Sequence, residues 1–587
     1  MPGIPPQIPG YGANNRVPSV GGQVQTGVGG STASDLPKKV LVVGLATSAG
    51  TITPDKQAAQ ILSQGDADNY AGPGGEGACM LYDELLVAAA NGVPITYVAP
   101  TPGGGGSSAT STIKLIGTTT AFCTLIVRVN GQPISIGIPP QQTAAQAATL
   151  IAQNVAGLAA GRTPVTASAS GAYVTLTYVT PGVRGMEQVV FIDTTGMVAG
   201  MTAQLYQVWT ISTTWAVGDQ VVPTVADGFY FRCTTPGAGS GTQPTWPTTI
   251  GATVTDGAAV WTCWGVVANG LSPTTAVFLG NGTGLESYTN LLNFLAGQTF
   301  DRIVLAANDA TSLAAWKAQI DAYALAPNNN LQQVIVGHNG TFAAAQAIAQ
   351  TTLNDTRFEL LWEASGETHP SRMAATFGGI RASTEQGNPN PNYDGLQLPN
   401  VAPQSQLADQ PTLAVLISAI NNSVTPVTSG PFGLGPGGDG FSRVVRAITT
   451  KSLTAGFPDY SCIDVGMQTT ADFVWLDAKI YYLTVVQKAN PVVSDDVPNN
   501  QKPPASGVLT PKSAKSTFGG RLVRFSQGNL SSAPTVGAAT IPPIILPPQP
   551  GDVQAIFDQS AKRIVLTEII RVMPLDHQLG IIVQQAA

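Results

Sequence analysis

The feature that most constrains this chain is an alternation of short apolar runs with helix-period segments, broken by one long interruption. Val40-Leu41-Val42-Val43-Gly44 is a short apolar run and predicts a buried strand. Residues 78–90 carry Met80, Leu81, Leu85 and Leu86 at helical spacing, and Asn91-Gly92 is a helix stop. Val93–Val98 then returns as a strand. The same alternation resumes from 285 to 382. It gives a helix through Leu285, Tyr288, Leu291, Leu292 and Leu295, and a strand at Arg302–Leu305. A helix through Leu313, Trp316, Ile320 and Tyr323, a strand at Val334–Val336, an Ala-rich helix over 342–350 and a strand at Phe358–Trp362 follow. Strand–helix alternation of this kind predicts an α/β core with a mostly parallel sheet covered by helices.

The interruption reads as two β-rich modules inserted in that core. The tract Gly103 to Gly106 is expected to be a flexible joint. After it, Thr124–Val129 and Gln132–Ile136 flank Asn130-Gly131, a strong hairpin signal. Thr143 and Gln146 form a capping box for a helix with Ala147, Leu150, Ile151, Val155 and Leu158 on one stripe. Strands are expected near Val174–Tyr178 and Val189–Ile192. Residues 205–267 then hold Trp209, Trp215, Trp246, Trp261 and Trp264, five of the chain's eight tryptophans, among turn signals such as Asp227-Gly228 and Asp256-Gly257. That pattern predicts a small antiparallel module.

The expected organisation is an extended arm over 1–35, core over 36–104, a hairpin-and-helix module over 105–200 and a Trp-rich module over 201–268. A second core part covers 269–440 and a C-terminal domain 441–587. In that last domain a strand is expected at Arg443–Thr450, a long helix after Thr470, a Pro-rich, mostly irregular segment over 490–550, and strand-like runs at Arg563–Val572 and Gln578–Gln585. A terminal arm is expected over 575–587.

Composition narrows the function classes. Charged residues are 10% of the chain, against about 25% in an ordinary soluble domain. A surface so poor in charge suits a protein covered largely by other protein. The net charge of −7 argues against nucleic acid, which calls for a basic face. The five cysteines are scattered and form no CxxC, which fits thiols in a reducing cytosol better than a disulfide framework. The N-terminus shows no signal-peptide pattern, and no run of about 20 apolar residues is present to span a bilayer.

The chemical motifs are weak. Gly72-Pro73-Gly74-Gly75-Glu76-Gly77 matches GxGxxG, but Asp66–Tyr70 before it is no strand, so a tight loop feeding a helix is the better account. His338, His369 and His577 show no metal spacing, so no metal or cofactor is expected. His338 and His369 fall near sheet ends, where a Ser-His-Asp hydrolase would place a base, but a structural histidine is the better reading of each. Trp215, Tyr230, Trp246 and Trp261 are the candidates for stacking on a glycan; the alternative is that they are the core of a very small domain.

In combination these segments resemble the contractile tail sheath proteins of bacteriophages, particularly the Mu-like branch. The resemblance lies in the order of Leu41–Gly44, Met80–Ala90 ending in Asn91–Ile95, Val129–Gly131, Thr143–Ala148, Phe300–Val304, Met373–Arg381 and Val444–Thr450 leading into a helix at 471–488. Residues 205–267 and 490–550 depart from it. The resemblance implies a non-enzymatic subunit with a subtilisin-like three-layer core. Such subunits stack as hexameric rings around a tail tube and contract to drive it through the host envelope. Partners would be neighbouring sheath subunits, the tube protein, and baseplate and tail terminator proteins, in a virion assembled in the bacterial host cytoplasm. Terminal arms would link subunits by adding strands to neighbouring sheets. The arm candidates are Arg16, Val17, Val20, Val24 and Val28, and Leu579, Ile581, Ile582 and Val583. The rival expectations are a glycan-binding adhesin or decoration protein built on the Trp-rich module, and a serine hydrolase.

Overall fold

The computed structural model describes residues 38–88, 92–158, 163–197, 200–267, 276–325, 330–402, 410–429, 441–459, 463–486, 492–496, 508–528, 545–558 and 563–570. Its centre is a nine-stranded sheet. In spatial order the strands are Ala59–Ile61, Ile95–Val98, Val40–Val43, Arg302–Leu305, Gln333–His338, Phe358–Trp362, Thr425–Thr428, Ser442–Val444 and Gln397–Leu398. The six strands from Ile95–Val98 to Thr425–Thr428 run parallel; the remaining pairings, at the two edges, are antiparallel. Every residue of Val40–Val43 is buried, as a strand covered on both faces requires.

Helices cover both faces, which makes three layers. Val40 and Val42 pack with Met80, Leu81, Met373 and Phe377 on one side. Leu41 and Val43 pack with Leu291, Leu292, Trp316, Ile320 and Ala349 on the other. On the first side the helices Glu76–Val87 and Pro370–Gly387 touch closely because Gly378 and Gly379 present no side chain. A Cβ at Gly378 would lie 2.4 Å from Val304 Cγ2, and one at Gly379 2.3 Å from Val87 Cγ2. Into this crossing Glu84 places a fully buried carboxyl with no hydrogen-bond partner among the described residues. Burial, reinforced by neighbouring Asp83, raises its pKa well above the usual carboxylate range.

The interruption folds as a lobe on a stem. Its two strands are bridged antiparallel at Thr101–Ser287 and Thr110–Gly280. The glycine tract, expected as a flexible joint, is packed at Gly103 and Gly106, while Gly104 and Gly105 form an open turn. Gly106 lies so close to the returning chain that a Cβ there would sit 2.2 Å from Thr283 O. The first part of the lobe is two four-stranded sheets around one apolar core with the helix Ala144–Leu158. The hairpin Cys123–Val129/Gln132–Ile138 turns at Asn130 and Gly131, both at positive φ (53° and 72°) as a type I′ turn demands. The capping box at Thr143 and Gln146 is formed. The strands Met201–Gln204 and Ala276–Phe278, from beyond that segment, complete its two sheets. The Trp-rich segment makes its own five-stranded sheet over a separate core.

The C-terminal region differs from expectation in three places. Only Ser442–Val444 of the 443–450 segment is a strand; beyond it the chain is buried but meets one isolated bridge, Ile448–Asp464. The long helix starts earlier, at Val465, and runs to Tyr481. Inside the expected irregular stretch lies a helix, Pro511–Gln527, with a capping box at Thr510 and Ser513 and proline in its first turn. Its Phe518, Leu522 and Phe525 face the long helix and the hairpin Val553–Asp558/Arg563–Glu568. The helix expected at 285–295 is confined to Thr289–Phe294.

Candidate functional site

In an open α/β sheet the ligand crevice lies outside the strands' carboxyl ends, where the strand order reverses. Here that point falls between Val40–Val43 and Arg302–Leu305, whose chain neighbours lie to opposite sides. The place is occupied by Arg184, which reaches in from the lobe. Its side chain is 1% exposed. Nε donates to Glu286 Oε1 at 2.8 Å, Nη1 to Glu187 Oε1 and Asn308 Oδ1, both at 2.8 Å, and Nη2 to Asp309 Oδ2 at 2.6 Å. Asn308 and Asp309 follow the central strand; Glu286 ends the stem. One guanidinium thus ties together lobe, stem and sheet. Its planar fork of donors suits such a site as a lysine ammonium would not.

The GxGxxG segment packs beside this point. Leu45 N donates to Glu76 Oε2, and Gly77 N donates to Leu45 O. A Cβ at Gly72 would lie 1.9 Å from Thr47 Oγ1, and one at Gly77 2.3 Å from Tyr97 Oη. These glycines serve close packing of loop on strand, with no space left for a pyrophosphate. Burial pushes the Glu76 carboxyl up to about 7, against the pull of Arg184.

His369 caps the helix Pro370–Gly387. Its Nδ1 lies 2.7 Å from Ser371 Oγ, and its Nε2 3.2 Å from the Arg184 carbonyl oxygen. A carbonyl only accepts, so the ring proton sits on Nε2 and Ser371 donates to Nδ1. Burial, aided by the nearby guanidinium charges, brings its pKa down to about 3. His, Ser and carbonyl are all enclosed, and Ser371 is 1% exposed. The hydrogen bond is a capping contact, and the pair offers no surface to a substrate. His338 lies nearby with neither ring nitrogen hydrogen-bonded, and burial lowers its pKa to about 4.

The hairpin turn belongs to the same seam. Asn130 Oδ1 accepts from His369 N at 3.0 Å, and Asn130 O accepts from Arg372 Nη1 at 3.0 Å. Arg372 is itself paired in two bonds with Asp83. Asn339 Nδ2 donates to Glu187 O, and Arg128 lies 3.7 Å from Glu367. A second buried arginine, Arg381, holds the sheet's other end. It bonds Glu385, Glu359, Gln333 and Thr469, and so joins the long C-terminal helix to the sheet.

The aromatic glycan candidates are placed otherwise than a binding face needs. Trp215, Tyr230 and Trp261 are 2%, 0% and 0% exposed, and Trp246 is half-buried. Trp215 and Trp246 both pack edge-on to Trp261, and Trp246 lies on Phe231. Three of the four are therefore core, and a covered ring cannot stack on a sugar. The centre of this core is polar: Asp256 Oδ2 accepts from Trp209 Nε1 and Trp261 Nε1, and Oδ1 from Ser240 N and Oγ. Burial alone would raise the Asp256 carboxyl; these donors outweigh it and hold it below the usual range. Cys233 and Cys263, also in this core, are free thiols. The arm candidates Arg16, Val17, Val20, Val24, Val28, Leu579, Ile581, Ile582 and Val583, and with them His577, lie outside the described residues.

No sequence motif marks Arg184, Asp256 or the docking role of Asn130. No group of His, Cys, Asp and Glu among the described residues is arranged to hold a metal ion. No described helix is long and apolar enough to cross a membrane.

No family model matches the chain, and no curated protein matches it significantly. Among solved structures the chain is similar to a sheath tail protein of Desulfitobacterium hafniense. The identity is 11%, 93% of this chain and 98% of that chain are covered, and the TM-score is 0.40. It is also similar to a sheath tail protein of Listeria innocua, at 11% identity, 93% and 94% coverage and a TM-score of 0.43.

Proposed function

We propose that this chain is the structural subunit of a phage contractile tail sheath of the Mu-like branch. In this reading its three-layer core is subtilisin-like in topology and without catalysis. Subunits stack as hexameric rings on the tail tube, linked by strands that the two chain ends lend to their neighbours, and contraction drives the tube through the host envelope. The partners are other copies of the chain, the tube protein, and the baseplate and terminator proteins, and the place is the virion tail. The lobe at 105–268 faces outward, away from the tube.

The observation that carries the proposal is the C-terminal unit. Its apolar core is small: Phe473, Val474, Leu522, Phe525, Ile545 and Val553. Its sheets, Val492–Val493 with Val508–Leu509 and Val553–Asp558 with Arg563–Glu568, have two strands each among the described residues. A two-stranded sheet is marginal by itself, and its open ladders are templates for another strand. Val523, Leu546, Ile556 and Ile569 on this unit are 37–43% exposed. Small core, open edges and exposed apolar side chains are what a unit completed by neighbouring copies would display. Each added ladder bond contributes about 0.5–1.5 kcal/mol net. A six-residue strand would therefore add a few kcal/mol at each junction, and a helical array repeats it. The sequence resemblance and the low charge point the same way. The glycan candidates are mostly core, so no glycan partner is included.

Electron microscopy of the purified chain tests this. Helical tubes would support it; dispersed monomers at every salt and concentration would count against it. Protease protection of residues 205–267 in assembled particles would overturn the outward placement of the lobe.

A further inference from the structure

The lobe meets the core across a seam unlike either interior. The apolar cluster of the lobe draws its residues from 109–279, and the clusters on the two faces of the sheet draw none from that range. What crosses the seam is polar: the bonds of Arg184 to Glu286, Asn308 and Asp309, the two of Asn130, Asn339 to the Glu187 carbonyl, and His369 to the Arg184 carbonyl. Tyr178 stacks on His369 at 5.8 Å between ring centroids. Polar interfaces between domains are those that open, because little apolar area is lost when they part. The lobe also has a narrow attachment. Its two connecting strands are dense in glycine, with Gly103 to Gly106 on one and Gly280, Gly282 and Gly284 on the other.

We propose that the seam is a latch: the lobe 105–280 is a separately cored body, joined to the core by one narrow stem, that can part from the core at this seam, and Arg184 is the bolt that holds it shut. The proposal is independent of the sheath reading, since it concerns one chain and its internal contacts. The buried guanidinium suits the role because its partners come from three segments. Parting lobe from core leaves Asn308 and Asp309 behind while Glu187 travels with the arginine. The bond network is then lost as a unit, and opening is expected to be all-or-none.

Hydrogen exchange on the intact full-length chain tests this. In the unmodified protein, peptides at the seam (183–188 and 366–372) are expected to exchange about tenfold or more faster than the lobe core (123–127, 174–178) and the sheet (302–305, 333–336), as a sub-global opening requires. In Arg184→Met the seam peptides should gain at least about another tenfold while both cores keep their protection. Arg184→Lys, which keeps the charge and loses the fork, should fall between. Seam protection equal to that of the two cores in the unmodified chain would overturn the latch, and that comparison needs no variant to fold. So would Arg184→Met exchange that rises equally in the seam and the lobe core, since Arg184 would then support the fold at large.

Discussion

Replacing Glu84 by glutamine should make the core more stable, and increasingly so as pH rises. The Glu84 carboxyl is wholly buried where two helices cross at Gly378 and Gly379, and no donor or cation among the described residues meets it. Asp83, the nearest charge, is negative and already held by Arg372. The native state therefore holds the Glu84 proton to higher pH than the unfolded chain, which releases it at about pH 4.3. A carboxyl whose pKa is raised on folding favours the native state least at high pH. The stability present below the unfolded pKa is lost as pH climbs toward the folded one. Within that window each pH unit is worth at most about 1.4 kcal/mol. Glutamine has nearly the same shape and no such proton. The difference in unfolding free energy between Glu84→Gln and the unmodified chain should thus widen as pH rises above the unfolded pKa, by up to about 1.4 kcal/mol per pH unit. Denaturant unfolding followed by far-ultraviolet circular dichroism at several pH values measures it. All other groups cancel in the difference. A flat difference over that range would refute the reasoning, because it would mean that something neutralises the carboxylate in the folded chain.

Three further outcomes are expected. His338 has its pKa brought down to about 4 by burial, so folding excludes a proton the unfolded chain takes up near 6.5. Stability on its account is full above pH 6.5 and is lost as pH falls, by about 3 kcal/mol at pH 4, and His338→Gln should flatten that acid limb in denaturant titrations. Asp256→Ala removes the acceptor of two buried indole N–H groups and should cost about 2–4 kcal/mol. Tryptophan fluorescence would report it as early unfolding of residues 205–267, with the rest of the chain intact. Gly131 has φ of +72°, and a Cβ there would lie 2.6 Å from Thr368 Oγ1 and 2.7 Å from Ala402 Cβ. Gly131→Ala should therefore lift the hairpin turn off the helix cap, seen as faster hydrogen exchange at 366–372 and unchanged exchange at 123–127.

The core was legible because both of its signals are local. Val40–Val43 and Ile303–Leu305 are short uninterrupted apolar runs, and a strand buried on both faces has to be one. The hairpin turn and the capping box at Thr143 were legible for the same reason. The helix Pro511–Gln527 was hidden by its flanking prolines and by the pair Gly519-Gly520. Its signal was Thr510-Pro511 at the start and Phe518, Leu522 and Phe525 at helical spacing. The strand at 443–450 was overread because a buried irregular segment and a strand share the same apolar content. The seam was not legible at all. Arg184 meets residues 3, 102, 124 and 125 positions away, and no local pattern announces such a meeting. The tryptophans of the Trp-rich module were visible, but which of them form its core was not, since the Asp256 contacts that hold Trp209 and Trp261 exist only in the fold.

In the proposed assembly the chain ends join one copy to the next. Sedimentation and electron microscopy of three proteins decide whether they do: the full chain, a chain lacking residues 1–35, and a chain lacking 575–587. Helical tubes are expected from the full chain, and dispersed, folded particles from both shortened ones. Tubes of equal length and abundance from either shortened chain would contradict it.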